Sequence, residues 1–496
     1  MSPSGHFAVP LRHPERFFIG GQWVPASTTA TIEVIDPTSE EPCMQVAQAQ
    51  PADMDRAISA AREAFDKGPW PRLSPAERAV YLRNFAAGWR KRSADVGEIF
   101  PRETGVLHVV ASHIAGAAAS EYERFADLAE TFPFEERAHP AGGGDFGLLV
   151  REPMGVVGAI TAWNSSTTSI SHKIAPAWLA GCTVIVKSPP DAPGEGLIAA
   201  EIAEEIGLPP GVLNVVTAER DVSELLVTDP RVDKISFTGS TATGRRIGSL
   251  CGQRIARVSL ELGGKSAAVI LNDANLEEAA ATLASAECML SGQVCSSLTR
   301  IVVSRDRHDE FIDALVANFS QTRVGDPFEA ETQMGPLAAE RQRARVEGYI
   351  AKGIEQGAKL VTGGQRPKHL DRGYFIEPTV FAHVDNGHVI AQEEIFGPVL
   401  SVIPADDEAD AIRIANDTIY GLNASVFTAD VDRARAVAGQ LNSGTVGHNA
   451  WRSDFSIAFG GFKQSGIGRE GGAEGLLSYL ESKTVILNDT PTKYLQ

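Results

Sequence analysis

Short apolar strands alternate with helical segments through the middle of the chain, and this alternation limits the fold more than any other feature. From Gly155 onward the runs are GVVGAIT, CTVIVKS, NVVT, KISFTGS, ARVSLEL and SAAVILN, and stretches such as LIAAEIAEEIG separate several of them. Parallel strands need long crossover connections, which helices usually provide. The pattern therefore predicts an α/β fold that is doubly wound.

The length of the chain requires more than one domain. Its 496 residues exceed what one hydrophobic core supports, so two or three domains are expected. The first part is helical, because SPAE at positions 74–77 forms a capping box with proline at the first helical position. A second α/β region begins near Gly263 and continues past Gly460.

Charge and cysteine usage narrow the class of protein. A net charge of -18 repels the phosphates of nucleic acids and of anionic membranes. The sequence has no apolar run long enough to span a bilayer, and its start, MSPSGHFAVPLRHPERFF, lacks the apolar core of a secretory signal. The five cysteines form no CxxC pair and no zinc spacing. We therefore expect a cytoplasmic protein with free thiols and no metal site.

Three residues have side chains suited to acyl chemistry, although each is weak evidence alone. Cys295 lies in SGQVCSSLTR, where Ser296 and Ser297 argue mildly against an apolar core; a lone cysteine is more often a small buried hydrophobe. Glu261 follows the strand run ARVSL, and it is either a general base with a raised pKa or part of an ordinary salt bridge. Asn164 either donates its amide to an oxyanion or simply turns the chain.

Two further features fit a ligand that contains phosphate. FTGSTATG (237–244) follows a strand and opens a helix, so Gly239, Ser240 and Gly244 would present backbone N–H groups to a phosphate. The spacing differs from the dinucleotide fingerprint G-x-G-x-x-G, and alone it favours an ordinary turn. Lys187 ends the strand CTVIVK, where open α/β sheets bind ligands, but in isolation it is typical of a solvated lysine.

Seven motifs occur in order along most of the chain: ITAWNSS, VIVK, FTGSTATGR, LELGGKS, GQVCSS, EEIFGPV and FGGFKQSGIGRE. In this combination the chain resembles the NAD(P)-dependent aldehyde dehydrogenase superfamily, from GQWVPAS to the C-terminal tail. The resemblance implies two doubly wound α/β domains and a β oligomerisation arm. The cofactor-binding domain would comprise 1–130 and 152–262, the catalytic domain 263–470, and the arm 131–151 and 477–496. The arm would supply a partner for the tail LESKTVILND and implies a homodimer or homotetramer.

The resemblance also implies a role for each candidate residue. Cys295 would be the nucleophile, because its thiolate attacks an aldehyde carbon. The Asn164 amide and the Cys295 backbone N–H would stabilise the oxyanion, and Glu261 would activate the water that hydrolyses the thioester. Lys187 would contact the adenosine ribose of the cofactor, whereas Glu394 and Phe396 would hold the nicotinamide ribose and ring. The implied cofactor-binding residues are Trp163, Lys187, Gly239, Ser240, Gly244, Gln342, Glu394 and Phe396.

Some residues depart from the family pattern. Many NAD-preferring relatives carry a glutamate three residues after the lysine, where it binds the ribose hydroxyls, and this chain has Pro190 there. The PWN and PFGG motifs of the family begin with Ala162 and Ala458 here, which would loosen two loops without removing the chemistry. We expect NAD as the cofactor, and NADP stays open.

The segment after Asn164 predicts a polar substrate channel. Many relatives have a proline and large apolar residues there, whereas this chain reads SSTTSISH over 165–172. On a helix, Ser165, Thr168, Ser169 and His172 would share one face at i, i+3, i+4 and i+7. That face would suit an aldehyde with hydroxyl or carboxyl groups better than a long alkyl chain.

The loop before the FGG motif would form the opposite wall of the channel. It contains Trp451, Arg452 and Phe455, and Ser296 would add a hydroxyl beside the nucleophile. Arg452 would pair with a carboxylate if the substrate is a semialdehyde. We expect a hydroxylated, aromatic or semialdehyde substrate, although a surface arginine and a serine-capped helix start fit these residues about equally well.

Three other functions stay open at this point. A CoA-acylating dehydrogenase would pass the thioester to CoA, but relatives of that type generally lack a base at the position of Glu261. A cysteine hydrolase would pair Cys295 with His172 or His448 and would need no nicotinamide. A binding or structural protein could keep the fold without catalysis, although an intact set of catalytic residues argues against it.

Overall fold

The computed structural model describes residues 9–495, so residues 1–8, at the start of the predicted cofactor-binding domain, and residue 496 of the predicted arm lie outside the described residues. The strands in chain order are β1 (Arg16–Ile19), β2 (Gln22–Pro25), β3 (Thr31–Asp36), β4 (Glu41–Ala47), β5 (Glu135–Ala138), β6 (Phe146–Pro153), β7 (Val156–Ile160), β8 (Thr183–Ser188), β9 (Leu213–Thr217), β10 (Lys234–Thr238), β11 (Arg257–Glu261), β12 (Ala267–Ile270), β13 (Arg300–Ser304), β14 (Lys359–Thr362), β15 (Thr379–Ala382), β16 (Val399–Ala405), β17 (Asn423–Phe427), β18 (Thr445–His448), β19 (Gly466–Ile467) and β20 (Leu480–Leu487).

The helices are distributed along the whole described chain and connect most of these strands. In chain order the α-helices are α1 (Pro51–Asp66), α2 (Pro75–Lys91), α3 (Ser93–Thr104), α4 (His108–Thr131), α5 (Ser166–Ala180), α6 (Gly194–Glu205), α7 (Arg220–Thr228), α8 (Thr241–Arg254), α9 (Leu276–Cys288), α10 (His308–Ser320), α11 (Glu340–Glu355), α12 (Val389–Gln392), α13 (Glu408–Asn416), α14 (Val431–Ala438) and α15 (Gly472–Leu477). Short 3-10 helices span Trp70–Arg72, Trp163–Ser165, Lys463–Ser465 and Thr492–Tyr494. In the described part of the chain, none of these helices combines the length and apolar character needed to cross a bilayer.

Two largely parallel sheets confirm the predicted α/β class. The first has the order β19-β11-β10-β7-β8-β9-β1-β2, and its five central strands pair in parallel. The second has the order β14-β15-β16-β13-β12-β17-β18, with one antiparallel strand, β14, at an edge. In both sheets the chain order reverses along the sheet, which makes them doubly wound.

The register of the first sheet brings its functional residues to one edge. Ile160 pairs with Lys187, and Thr238 pairs with Glu261, at the ends of the parallel strands β7, β8, β10 and β11. Carboxyl ends of parallel strands are where open α/β sheets bind ligands, because helices begin there and leave a crevice. The predicted lysine and glutamate therefore face the same crevice.

A separate three-stranded sheet has the order β20-β6-β5. The strand β20 lies antiparallel to β6 over its whole length, from Leu480 opposite Pro153 to Leu487 opposite Phe146. The glycine- and proline-rich segment between β5 and β6 is thus the turn of a hairpin, and the C-terminal tail finds its strand partner within the same chain. The outer edge of β20 pairs with no other described strand.

The N-terminal part is helical, as its sequence pattern predicts, and its helix α2 packs on α4, α5 and α6. Ser74 caps α2: its side chain accepts from the Glu77 N–H, and the Glu77 carboxylate accepts from the Ser74 N–H, which completes the capping box. The apolar face of α2 is buried through Ala79, Leu82 and Phe85. This face contacts α4 and α5, and its side chains belong to the largest hydrophobic cluster of the described residues.

An aromatic group lies at the centre of that cluster. The Trp178 ring on α5 lies 4.9 Å from the Phe85 ring, 5.9 Å from Trp70 and 6.5 Å from Tyr122. All four side chains are buried. Aromatic pairs in such tilted and edge-on arrangements stabilise a core beyond the area they bury.

Replacing Trp178 with alanine is expected to lower the free energy of unfolding by about 3–5 kcal/mol, because it leaves a cavity among three aromatic rings. Urea denaturation followed by circular dichroism measures the change. Val80→Ala on α2 is the control, since Val80 is 56% exposed. Similar losses for the two variants would contradict the assignment of Trp178 to the core.

Candidate active site

A cavity of about 780 Å³ lies at the carboxyl edge of the first sheet and extends toward the second. Eleven of the residues singled out from the sequence line it, namely Trp163, Asn164, Ser165, Lys187, Gly239, Ser240, Glu261, Cys295, Gln342, Glu394 and Phe396. The structure thus brings the predicted catalytic residues and most of the predicted cofactor-binding residues together. Gly244 and seven of the predicted channel residues lie outside this cavity.

A hydrogen bond joins the loops that carry Asn164 and Cys295. Asn164 lies in the short 3-10 helix after β7, and its Nδ2 donates to the Gln293 carbonyl oxygen at 2.9 Å. Gln293 is fixed in turn, because its Oε1 accepts from the Ala338 N–H at 3.0 Å. Asn164 and Cys295 are therefore held near each other, and one amide N–H of Asn164 stays available for a ligand.

The loop that carries Cys295 needs a glycine. Gly292 has φ +69°, and a Cβ there would lie 2.3 Å from the Gly397 carbonyl carbon. The Gly292 N–H donates to the Glu287 carbonyl oxygen at 2.7 Å, and the Ser297 N–H donates to the Val294 carbonyl oxygen at 3.0 Å. These bonds fold the chain tightly on both sides of Cys295 and place its half-buried side chain at the cavity wall.

Glu261 is a buried carboxyl group without a hydrogen-bond partner. It ends β11, is 4% exposed, and neither carboxylate oxygen has a partner among the described residues. Burial raises the pKa of Glu261 well above its ordinary value, the charge of Glu470 raises it further, and Lys173 and Arg469 oppose the rise. A carboxyl group in this state can hold or accept a proton near neutral pH.

Lys173 and Glu470 form a buried ion pair beside Glu261 that the sequence analysis missed. Lys173 Nζ lies 2.6 Å from Glu470 Oε1 and 2.8 Å from Thr238 Oγ1, and the Lys173 side chain is fully buried. The available signal was a lysine inside the apolar run ISHKIAPAWLA, where a charged residue needs a partner. The two charges act on Glu261 in opposite directions: Glu470 raises its pKa and Lys173 lowers it.

The surroundings of Cys295 favour its neutral thiol over the thiolate. Removal from water, followed by the charges of Glu394 and Glu261, raises the pKa of Cys295 to about 12. Thiolate formation therefore requires either a nearby base or a ligand that brings positive charge.

The end of the cavity farther from Cys295 is suited to a phosphate. Gly239 and Ser240 precede α8, and the Ser240 hydroxyl accepts from the Thr243 N–H at 3.3 Å as a helix cap. The N-terminus of this helix directs backbone N–H groups at the cavity. Gly244 does not line the cavity; a Cβ there would lie 2.4 Å from Leu262 Cδ2, so this glycine permits close packing of α8 on the chain after β11.

Lys187 and Glu394 mark two other parts of the cavity. Burial lowers the pKa of Lys187 to about 8, and the carboxylates of Asp191 and Glu219 oppose this fall. Burial raises the pKa of Glu394 to about 7, and one Glu394 oxygen accepts from the Gly264 N–H at 3.1 Å. Glu394 is thus positioned by the glycines that follow Glu261.

Phe396 and Trp163 form an aromatic corner of the cavity. Their rings meet edge to face at 5.5 Å. Phe396 has φ +65°, and its carbonyl oxygen accepts from Gln342 Nε2 at 2.5 Å. Gln342 therefore braces the Phe396 backbone as well as lining the cavity.

The predicted channel residues lie mostly beyond the catalytic residues. The prediction that Ser165 belongs to the helix is wrong: Ser165 precedes α5 with φ -148°, and α5 begins at Ser166. Thr168 Oγ1 donates to the Ser165 carbonyl oxygen at 3.1 Å, whereas the Ser169 hydroxyl is buried and has no partner among the described residues. His172 is buried, and its ring stacks on Phe455 at 3.6 Å.

Two of the three residues predicted in the loop before the FGG motif, Trp451 and Phe455, contact the predicted channel residues. Trp451 Nε1 donates to the Ser296 carbonyl oxygen at 3.1 Å and lies 3.2 Å from the Ser296 hydroxyl. Phe455 stacks on His172 and also on Phe459, at 4.3 Å. Arg452 has an exposed side chain, and only its carbonyl oxygen is engaged, by Asn423 Nδ2 at 2.9 Å.

A histidine cluster elsewhere resembles a metal site in composition. His308, Asp309 and His383 offer ligand atoms within 4.8 Å of one another. However, His308 Nε2 accepts from the His383 N–H at 3.2 Å, so the ring proton sits on Nδ1, 3.0 Å from Asp309 Oδ1. His308 then has no free lone pair for a metal, and the cluster is accounted for by hydrogen bonds.

Replacing Glu261 with glutamine is expected to stabilise the protein at alkaline pH. The folded pKa of Glu261 is raised above its unfolded value, so the wild type loses stability as the pH rises through the folded pKa. Glutamine cannot ionise, so the melting temperature of Glu261→Gln should exceed that of the wild type above this pKa. The difference should vanish toward pH 4.5, the ordinary value for glutamate.

Thermal unfolding of both proteins between pH 5 and 9 measures this difference. The exposed Glu355→Gln controls for loss of one negative charge. A difference that does not change with pH would contradict the burial of an ionisable carboxyl at this position.

Comparison with known proteins agrees with this geometry. The sequence model of the aldehyde dehydrogenase family matches residues 23–485. A geranial dehydrogenase of Castellaniella defragrans is 42% identical, over 95% of this chain and 98% of the relative. The crystal structure of a Mycobacterium tuberculosis aldehyde dehydrogenase complexed with NAD+ is 43% identical, with a TM-score of 0.93 over 97% of this chain and 99% of that chain.

Two other solved structures are similar over nearly the whole chain. Betaine aldehyde dehydrogenase of Staphylococcus aureus in complex with NAD+ is 34% identical, with a TM-score of 0.94, covering 98% of this chain and 97% of that chain. A mutant of aldehyde dehydrogenase C of Pseudomonas syringae, complexed with NAD+ and octanal, is 36% identical, with a TM-score of 0.93, covering 98% and 99%. These matches confirm the predicted fold, and this chain belongs to the aldehyde dehydrogenase family.

Proposed function

We propose that the protein oxidises an aldehyde to a carboxylic acid with NAD+ as the cofactor, through a thioester on Cys295. The observation that carries the proposal is the meeting of Cys295, Asn164 and Glu261 in one cavity whose far end holds Lys187 and the N-terminus of α8. Solved family members with NAD+ support the choice of cofactor.

The cavity fits a dinucleotide in shape and in the chemistry of its lining. The helix N-terminus at Gly239 and Ser240 would hold the pyrophosphate, and Lys187 would hold the adenosine ribose. Glu394 and Phe396 would hold the nicotinamide ribose and ring, beside Trp163. When bound, NAD+ supplies the acceptor for the hydride that leaves the substrate.

Cys295 and Asn164 carry out the first half of the reaction. The Cys295 thiol would lose its proton to water, which the positive charge of bound NAD+ would favour, and the thiolate then adds to the aldehyde carbon, so that the carbonyl oxygen becomes an oxyanion. The second N–H of the Asn164 amide and the Cys295 backbone N–H donate to that oxyanion. Loss of hydride from the carbon then leaves an acyl group bound to the Cys295 sulfur as a thioester.

Glu261 carries out the second half. With a raised pKa and no hydrogen-bond partner, its carboxylate takes a proton from water, and the hydroxide attacks the thioester carbon. The carbon–sulfur bond breaks, the carboxylic acid leaves, and Glu261 returns its proton to the Cys295 thiolate, which restores the thiol. Lys173 and Glu470 set the charge around Glu261 during this step.

The alternatives have less support. A CoA-acylating enzyme needs no water-activating base, whereas Glu261 is buried at the site of the thioester. A cysteine hydrolase would need a histidine beside Cys295, but His172 stacks on Phe455 and His448 Nε2 lies 3.1 Å from the Thr428 carbonyl oxygen. A requirement for CoA, or product formation without NAD+, would favour one of them.

For the substrate we propose an aldehyde with an aromatic or hydroxylated body. Ser165 lines the cavity beside Asn164, and the stack of His172, Phe455 and Phe459 provides aromatic surface. Thr168 already donates to its own helix, so it contributes less polarity than the sequence indicated. A semialdehyde is less favoured, because Arg452 is exposed and water would weaken its pairing with a carboxylate.

We also propose a cytoplasmic homodimer or homotetramer that uses the β20-β6-β5 sheet as its arm. The open edge of β20 supports this assembly, because an unpaired strand edge is a liability unless another strand or subunit covers it.

Cys295→Ala is expected to lower turnover by at least roughly 10⁴-fold, because no other thiol lines the cavity among the described residues. Glu261→Gln should slow steady-state turnover about 10²–10⁴-fold while the first turnover still produces NADH in a burst. Stopped-flow absorbance of NADH measures both. Cys43→Ala, also a half-buried thiol, should keep normal rates; normal rates for Cys295→Ala would refute the mechanism.

Ser165→Ala is expected to lower kcat/KM for a hydroxybenzaldehyde about tenfold, because Ser165 lines the cavity beside Asn164 and a hydrogen bond to the substrate is lost, and to leave octanal little affected. Ser171→Ala is the control, since the Ser171 hydroxyl donates to the Thr168 carbonyl oxygen at 2.8 Å. Initial rates with octanal, geranial and hydroxybenzaldehydes measure the preference. A wild-type preference for octanal would overturn the substrate proposal.

A further inference from the structure

The adenosine end of the cavity lacks the usual acidic residue but contains three other carboxylates. Pro190 stands three residues after Lys187, where many NAD-preferring relatives have glutamate. Asp191, Glu219 and Glu224 nevertheless line this end of the cavity. If NAD+ binds as proposed above, another residue must take over the task of the missing glutamate.

Two of the three carboxylates are already paired with arginines. Asp191 forms an ion pair with Arg341. Glu224 binds Arg246 through two bonds, of 2.5 and 2.6 Å. Each of these carboxylates would have to give up a charge-assisted partner in order to accept hydrogen bonds from a ribose.

Glu219 differs from both. Its side chain makes no hydrogen bond and no ion pair with any of residues 9–495, and only its carbonyl oxygen is engaged, by Ser223. The side chain is exposed and lines the cavity. A carboxylate left free inside a binding cavity is available to a ligand at no cost in broken contacts.

The position of Glu219 also suits the ribose. It lies two residues beyond the end of β9, the parallel neighbour of the strand that carries Lys187, and Lys187 pairs with Val216. Its charge acts on Lys187, which it helps to keep protonated. Acidic residues that bind ribose hydroxyls commonly follow a strand of the nucleotide-binding sheet, because both hydroxyls donate to one carboxylate.

We propose that Glu219 accepts hydrogen bonds from the adenosine ribose hydroxyls in place of the missing glutamate, and that it thereby selects NAD+ over NADP+. A 2′-phosphate would remove one of these donors and would bring its negative charge toward Glu219, Asp191 and Glu224. Two of the arginines that line the cavity, Arg341 and Arg246, are already paired with carboxylates.

Arg220 is the residue that could favour NADP+ over NAD+. It lines the same end of the cavity and has no ion pair among the described residues. If Arg220 instead held a 2′-phosphate, the protein would bind NADP+ at least as well as NAD+. The two assignments thus predict opposite orders of affinity.

Isothermal titration with adenosine fragments tests the proposal without catalysis. The probes are AMP, which keeps both ribose hydroxyls, and 2′,5′-ADP, which carries the 2′-phosphate; NAD+ and NADP+ are titrated alongside. Wild-type protein should bind AMP and NAD+ more tightly than their 2′-phosphorylated counterparts. Glu219→Gln should weaken AMP and NAD+ binding roughly tenfold to a hundredfold and should strengthen 2′,5′-ADP binding.

The control is Asp221→Asn, which removes one exposed negative charge two residues away on the first turn of α7. It should leave the ratio of AMP to 2′,5′-ADP affinity within about twofold of the wild type, since the hydrogen bonds to the ribose remain. Melting temperatures should match for all three proteins, because Glu219 and Asp221 are both exposed and form no ion pair within residues 9–495.

Two results would overturn the proposal: unchanged AMP and NAD+ affinity in Glu219→Gln, or a wild-type preference for 2′,5′-ADP. If Asp221→Asn changed the ratio of AMP to 2′,5′-ADP affinity as much as Glu219→Gln does, the effect would be general electrostatics, and a direct contact between Glu219 and the ribose would be refuted. Failure of the proposed function is distinguishable, because aldehyde oxidation with NAD+ would then be absent while the binding order of the fragments could still hold.

Discussion

The hydrogen bond from Asn164 Nδ2 to the Gln293 carbonyl oxygen is the contact on which the site depends. Asn164 follows β7 of the first sheet and Gln293 lies in the loop that leads to β13 of the second, so this 2.9 Å bond connects the loops of two separately wound sheets. Glu261, from β11, completes the set. Proximity of this kind supplies a large part of an enzyme's rate, because the reacting groups need not search for one another.

The same closeness costs stability. Glu261 is buried without a hydrogen-bond partner, and Glu470 repels its charge. Such strain is typical of active sites, where groups are arranged for a reaction rather than for the lowest energy of the resting protein. The Lys173–Glu470 ion pair reduces this loss of stability. It places the positive charge of Lys173 near the carboxyl groups of Glu261 and Glu470, which would otherwise repel each other more strongly.

The sequence predicted the α/β fold and the position of Lys187 and Glu261 because both follow from the order of strands and helices. Strand runs such as CTVIVKS alternate with helices, and parallel pairing then places Lys187 and Glu261 at one edge. Other features depend on tertiary contacts that local pattern cannot reveal. The helical face from Ser165 to His172 was wrong at its first residue, because Ser165 has a non-helical φ of -148°. Lys173 and Glu470 are 297 residues apart, and the freedom of Glu219 appears only when its neighbours' ion pairs are known.

The most direct test of the account is the identity of the acylated residue. Glu261→Gln protein is mixed with NAD+ and an aldehyde that the wild type oxidises, quenched in acid after one turnover, and digested for mass spectrometry. The account predicts that the acyl group is found on the peptide that contains Cys295, in an amount that matches the NADH formed. An unmodified Cys295 peptide, with NADH formed all the same, would contradict it.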